Sequence, residues 1–373
     1  MATTGRQSPA TDALAASLQE AGLVRLAPAA TGDGVAAAGV LAQALTAIDV
    51  PFQVSVVTDD APTRTTEADL VIGLDRTSPD ADTTLGGQQA ASTAAFDVAR
   101  TLAGDRADPA LATAGTIVAG TEPTESLAAA LAETGIERRP GVAVPTEDLV
   151  DGLAHSTLVH APFSGDTEAV RDVLGTTTAP EDEETRRRVA SRVALETIDA
   201  DAATSQAATA VEGVLRPHAG GPFATVEGYG DVLDAAVRED PGTAVALALG
   251  HDVREDALDA WRRHAKDAHE ALNAATIRRH AGLVVIEVDG PIRTVARLLG
   301  AYRSPEALAL VQNGDSIALA AAEQRDAAAV LEAATASFDL SGRVTGDANL
   351  ATQPYPGDID ALVDAIREVI RDA

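Results

Sequence analysis

The chain has 373 residues, a formal net charge of −29, no cysteine and only 2% aromatic residues. This length suits two domains with ample chain to bury a core, and the missing cysteines exclude disulfides, thiolate metal sites and cysteine nucleophiles. Acidity disfavours a polyanionic partner at ordinary ionic strength, but at about 1 M salt the Debye length falls to about 3 Å, so nucleic acid stays open as a ligand. The opening residues MATTGRQSPATDA hold no apolar signal segment, and no run approaches the roughly 18 apolar residues of a membrane span. A cytoplasmic chain with no membrane partner is expected.

In chain order, Asp12 to Glu20 predicts an amphipathic helix ended by Gly22, and Leu23 to Ala27 a first strand. A small-residue loop with Asp33 and Gly34 then leads into an Ala/Val/Leu helix reaching Thr46. Strand, glycine-bearing loop and helix in that order place a carboxylate and backbone N–H groups at the carboxyl end of a parallel strand, where α/β proteins bind ligands. Pro51 to Val57 reads as a strand with a turn at Asp59 to Pro62, and ADLVIGLD as a buried strand ending on Asp75. Gly86 and Gly87 open a helix over Ala90 to Leu102, and GTIVA at Gly115 to Ala119 reads as another strand. Apolar strands interleaved with alanine-rich helices predict a mostly parallel sheet with flanking helices over residues 1–175.

Residues 176–204 read as an acidic linker (TTTAPEDEE) and a connecting helix, Arg186 to Thr197. A smaller α/β domain is expected over 205–373. It would contain the strand LVVIEV (Leu283 to Val288), a helix Ile292 to Leu299, and strands Ala307 to Val311 and Ser316 to Ala321 about an Asn313-Gly314 turn. Helices over Ala327 to Ala336 and Asp358 to Arg371 complete it.

Three features together resemble archaeal RecJ-like proteins of the DHH phosphoesterase superfamily: the strand, Asp-Gly loop and helix at 24–45, the aspartate closing ADLVIGLD, and the order LVVIEV, helix, ALALVQNGDSIALAAAE, helix. The resemblance implies a DHH-like parallel-sheet domain followed by a DHH-associated domain. Acidic composition with Lys266 as the sole lysine resembles a halophilic, salt-accumulating archaeon. Active members of the superfamily carry a first motif His-x-Asp-x-Asp-Gly that holds manganese, and here the matching positions are Ala29, Thr31, Asp33 and Gly34. The Asp-His-His triplet would fall within Asp75 to Gln89, which holds no histidine, and the Gly-Gly-Gly-His loop would fall within SGRVTGDANLATQPYP. The Ser-x-Arg of the preceding strand reads Ser316-Ile317-Ala318. A two-metal phosphoesterase needs several convergent carboxylates and imidazoles to hold two ions about 3.5–4 Å apart. Asp33 and Asp75 therefore read as the remnant of a metal site, able to hold at most one hydrated Mn²⁺ or Mg²⁺.

Each of these residues also has a plainer reading. Asp33 suits the N-cap of its own helix, and Asp75 suits a turn with Arg76 and Thr77. His155 and His160, five apart, suit structural roles, and His264 and His269 a solvated helix face with Arg262, Arg263 and Lys266. Gly220-Gly221-Pro222-Phe223 reads as a turn. Arg186, Arg187, Arg188 and Arg192 form the densest basic patch, open either to nucleic-acid phosphates or to the preceding acidic run at helical spacing. Gly34, Arg186 and Arg187 are the candidate phosphate contacts.

The resemblance implies a RecJ-like protein near single-stranded DNA or RNA in replication or repair, with little nuclease activity and with replisome partners such as GINS. A eukaryotic RecJ relative in the replicative helicase keeps the fold without the ligands. The alternatives are a working Mn²⁺- or Mg²⁺-dependent single-strand 5′-to-3′ exonuclease, and an unrelated α/β protein holding a small anion at its glycine-rich loops.

Overall fold

The computed structural model describes residues 9–57, 67–75, 80–87, 89–175, 177, 182–322, 325–340 and 342–372. The chain forms two units that are not contiguous in sequence: residues 1–139, 144–146 and 217–262 in the first, and 140–143, 147–216 and 263–373 in the second. This division differs from the cuts expected at 175 and 205. The chain returns to the first unit where His218–Ala219 pairs with Glu137–Arg138 and the Thr225 hydroxyl donates to the Val144 carbonyl at 2.8 Å. A cut drawn along the sequence does not see such a return.

In the first unit, β1 (Val24–Pro28), β2 (Phe52–Val54), β3 (Leu70–Leu74) and β4 (Thr83–Leu85) form a sheet in the order β2-β1-β3-β4. All its pairings are parallel, with Leu26 opposite Val54 on one side and Ile72 on the other. The short strands β5 (Glu137–Arg138) and β6 (His218–Ala219) form a separate antiparallel pair. The Gly32–Ala47 helix after β1 is buried along nearly its whole length, as expected of a helix that is apolar all round. It packs against the Ala91–Ala103 and Pro109–Val118 helices. The core is built largely from Ala, Val and Leu, with Phe96, Phe223, Tyr229 and Trp261 as its aromatic members. Trp261 Nε1 donates to Asp231 Oδ2 at 2.8 Å, which satisfies the buried indole.

The expected strand at Gly115 to Ala119 is instead the end of the Pro109–Val118 helix. Asp108 caps that helix by accepting from Ala110 and Leu111 N–H, and Pro109 occupies its first turn. Gly115 lets it approach closely, since an added Cβ would lie 2.6 Å from Ala36 Cβ and 2.8 Å from Ser92 Cβ. A five-residue apolar run carries too little periodicity to tell strand from helix.

In the second unit, β7 (Arg278–His280), β8 (Leu283–Glu287), β9 (Leu308–Asn313), β10 (Ser316–Ala321), β11 (Thr345–Gly346) and β12 (Leu350–Pro354) form a sheet in the order β11-β12-β10-β9-β8-β7. Only β8 and β9 pair in parallel, joined through the Ile292–Leu298 helix and a π-helical turn, Leu299–Arg303. β9 and β10 form the expected hairpin, with Gly314 at φ 54° in its turn. Leu283, Leu310, Ile317, Leu319 and Tyr355 fill the core beneath the Ala327–Thr335 and Ile359–Asp372 helices.

Candidate functional site

Because β1 and β3 are adjacent and parallel, their carboxyl ends bring the Thr31–Gly34 loop and Asp75 together. Thr31 has an extended backbone and caps the Gly32–Ala47 helix, its Oγ1 accepting from Gly34 N–H at 3.0 Å. The same hydroxyl donates to Asp75 Oδ2 at 2.5 Å. Asp75 sits at φ 58°, a left-handed conformation that Asp tolerates better than most residues, and its N–H donates to Leu85 O at 2.9 Å. Gly34 is required here for a steric reason: an added Cβ would lie 2.9 Å from Ala29 O and 3.1 Å from both Ala29 N and Thr31 Oγ1. Asp234 closes the loop from another helix, accepting from Gly32 N–H at 2.9 Å and pairing with Arg238 at 2.7 Å.

Asp33 is only 2% exposed. It does not cap its own helix, where Thr31 holds that position. Its Oδ2 accepts from Ala91 N–H at 2.7 Å and its Oδ1 from Ser92 N–H at 2.9 Å. Ala90, at the N-cap of the Ala91–Ala103 helix, has no side-chain acceptor to offer, so Asp33 satisfies that neighbouring helix's first amides and meets the positive end of its dipole. Burial, and next the charge of Asp75, push the Asp33 carboxyl up from 3.8 to about 7, against the lowering effect of its bonds from Ser92 and Ala91.

These donors do not fit the pair of divalent ions that the family resemblance implies. Both oxygens of Asp33 and one of Asp75 are held by Ala91, Ser92 and Thr31. Where the Asp-His-His triplet would fall, β4 is followed by Gly86, Gly87 and Gln89–Ser92, none of which carries a carboxylate or imidazole. Among the described residues, no three His, Asp or Glu side chains are grouped to hold a metal. Arg76 and Thr77, the expected turn partners of Asp75, lie outside the described residues.

Arg186 and Arg187 stand in the second unit, on the Glu183–Ile198 helix. Arg187 is exposed and pairs with Glu183 at 2.5 Å, and Arg192 with Glu196 at 2.9 Å. Gly220 and Gly221 adopt positive φ in a turn that seats Phe223 against Tyr229, with ring centroids 5.0 Å apart. His155 bonds to Asp151 within its own helix. The solvated face expected for His264 and His269 is overturned, for they are 1% and 0% exposed. They share a buried stripe with Ala257, Trp261, Ala265, Ala268 and Leu272, a spacing of three and four that is readable in the sequence once Trp261 is taken as core. Sequence reasoning also missed the hydroxyl of Thr31 as the partner of Asp75, and Asp234 as the partner of the loop.

A family profile described as the C-terminal domain of uncharacterized protein rrnAC1427 matches residues 275–368. The uncharacterized protein rrnAC1427 of Haloarcula marismortui is 48% identical over 380 residues, covering 99% of this chain and 100% of its own. The chain belongs to the rrnAC1427 family. Among solved structures, CDC45 from Entamoeba histolytica is similar with a TM-score of 0.58 at 8% identity, over 96% of this chain and 98% of its own. RecJ in complex with Mn²⁺ from Thermus thermophilus is similar with a TM-score of 0.56 at 15% identity, over 98% of this chain and 55% of its own. An exonuclease RecJ bound to manganese gives 0.51 at 14% identity, over 97% and 94%. At such identities the likeness is one of fold, and the RecJ-like DHH architecture expected from the order of elements is present in this rrnAC1427-family chain.

Proposed function

We propose that this protein is a RecJ-like binding or scaffolding component that works near single-stranded nucleic acid in DNA replication or repair, with little or no nuclease activity. Its setting is the cytoplasm of a salt-accumulating archaeon, and its partners are replisome proteins such as GINS. One observation carries the reading: the carboxylates at the carboxyl ends of β1 and β3 are engaged by backbone amides and a threonine hydroxyl, which leaves too few donors for two-metal hydrolysis. The near full-length likeness to CDC45 in both chains supports it. Arg186 and Arg187 are the side chains we assign to phosphate contact, with Arg187 exchanging Glu183 for a backbone phosphate. Gly34 is left out, because its N–H already meets Thr31.

The test has two arms in molar KCl. Labelled single-stranded oligonucleotide incubated with clean protein and MnCl₂ or MgCl₂ stays intact, and a tagged chain recovers GINS from a haloarchaeal lysate. Metal-dependent shortening that disappears in Asp33→Ala and Asp75→Ala restores the exonuclease. Recovery of unrelated enzymes alone rejects the replisome setting. Replacing Arg186 and Arg187 together with alanine lowers single-strand affinity and flattens its salt dependence by about one to two ions released.

A further inference from the structure

The second unit buries a pair of histidines whose bonding fixes their protonation. His160 and His269 meet edge to edge, with ring planes within 18° of each other, centroids 5.3 Å apart and Nδ1 atoms 3.1 Å apart. Two N–H groups cannot face each other at that distance, so one Nδ1 donates and the other accepts. His269 Nε2 lies 3.0 Å from the Ser156 carbonyl oxygen, which only accepts, so this nitrogen carries a proton. Both rings are buried, and both are held neutral well below the ordinary histidine range, near 3 for His160 and near 4 for His269, chiefly by that burial. A neutral His269 protonated on Nε2 has a bare Nδ1. His160 therefore donates from Nδ1, and its Nε2 is left as a lone pair.

His160 lines a pocket of about 260 Å³ together with Thr197, Asp201, Asn273, Tyr302 and Arg303. The Thr197 and Tyr302 hydroxyls already donate to Val193 O and Leu158 O. Arg303 donates from Nη1 to Leu272 O at 2.7 Å, while its buried Nε has no partner. Other arginines of this unit, Arg278, Arg279 and Arg367, meet carboxylates. Arg303 meets none among the described residues, and the one carboxylate of the lining, Asp201, is exposed. The charged and titratable groups about the histidine pair are Arg303, which faces His160, and His155, His264 and Arg297, which face His269. In a chain of net charge −29, this pocket presents a guanidinium with no carboxylate partner among the described residues, beside a lone pair open to a hydrogen-bond donor.

A ligand that answers both groups carries a negative oxygen and a proton donor on one compact centre. Ionised carboxylates and sulfate have the charge without the proton, and alcohols the proton without the charge. A phosphate group, with its second ionisation near about pH 6, carries both charge and proton up to that pH, and a site that holds its proton in a hydrogen bond favours this form. The pocket is smaller than the roughly 300–1,000 Å³ typical of sites for larger ligands. We propose that it binds a monoprotonated phosphate group, as inorganic phosphate or a small phosphate monoester, with Arg303 on the charged oxygens and His160 Nε2 accepting a hydrogen bond from the phosphate hydroxyl. This site is independent of the reading of Asp33 and Asp75, and either can fail without the other.

Calorimetric titration of the full chain in molar KCl with inorganic phosphate, ribose 5-phosphate and sulfate tests it. At least one of the two phosphate ligands saturates the protein, the tighter one naming the source, and sulfate binds about tenfold or more weakly. Arg303→Gln abolishes the binding. His160→Asn keeps an amide N–H for His269 but is too short to place an acceptor where Nε2 stood, so its phosphate affinity falls to that for sulfate. Equal binding of sulfate, no saturation by either phosphate ligand, or binding retained in Arg303→Gln overturns the proposal. Should either variant fail to fold, long-range ¹H–¹⁵N spectra of the wild type decide: His160 protonated on Nδ1, with an Nε2 signal that moves on adding the phosphate ligand, supports the site, and protonation on Nε2 or an unmoved signal refutes it.

Discussion

Replacing Asp33 by Asn removes a buried charge and keeps the shape, so its effect is best followed as a function of pH. The folded carboxyl holds its proton up to about pH 7 against an ordinary value of 3.8. The folded state therefore binds this proton more tightly than the unfolded chain does. The stability so gained is complete below about pH 4 and is lost as pH rises through about 7. At 1.36 kcal/mol per pH unit the whole span amounts to about 4 kcal/mol, of which about 2–3 kcal/mol falls between about pH 5 and pH 8. The Asp33→Asn side chain has no proton to lose, so the wild-type-minus-variant difference shrinks by that amount across the same interval. A constant offset is superimposed, because the new amide meets one of the Ala91 and Ser92 N–H groups with a donor, at a cost of about 1–3 kcal/mol. Guanidinium unfolding in molar KCl, followed through the fluorescence of the single tryptophan, Trp261, measures both. If the difference between the two proteins is flat with pH, burial and the Asp75 charge do not control Asp33.

The neighbouring residues give sharper local effects. Thr31→Val removes the hydroxyl that caps one helix and donates to Asp75, and lowers stability by about 1–3 kcal/mol; Thr31→Ser restores most of it, and an unchanged melting temperature in the valine variant would sink the assignment. Gly34→Ala drives a methyl group toward the Ala29 backbone at 2.9–3.1 Å and costs about 1–3 kcal/mol, measured by chemical denaturation. MnCl₂ at millimolar concentration leaves the wild-type melting temperature unchanged, since a ligand stabilises only the state that binds it; a manganese-specific rise that vanishes in Asp75→Asn would restore the metal site.

The sequence made the sheet legible where strands are apolar runs ending in a turn residue, as at Leu26, Ile72, Leu310 and Leu319. It made the β9–β10 hairpin legible through Asn313-Gly314. It misled where a local rule has a distant competitor. Asp33 matches the N-cap preference, yet the acceptor for its own helix is Thr31 and its oxygens serve a helix 58 residues onward. The same limit hid His160 and His269, which lie 109 residues apart and whose meaning rests on a bond no spacing rule encodes. GTIVA was misread despite a readable signal, the Asp108-Pro109 helix start.

The loop also accounts for how an acidic pair is held so close together. Two carboxylates at the ends of adjacent parallel strands repel, and this fold offsets the repulsion with two helix amides, a threonine hydroxyl and a retained proton on Asp33. Thr31→Asp tests that account by placing a third acidic residue on the loop beside Asp33 and Asp75. Aspartate caps a helix about as well as threonine, so the Gly34 N–H keeps an acceptor. Asp75 loses its hydroxyl donor and gains a like charge in its place. Without divalent ions the variant is therefore less stable than wild type by about 2–4 kcal/mol above neutral pH, and the loss eases on acidification as the cluster takes up protons. Manganese now finds three carboxylates on one loop system and raises the melting temperature of this variant alone. Stability equal to wild type without added metal would mean that repulsion does not shape the site, and that Thr31 serves only as a helix cap.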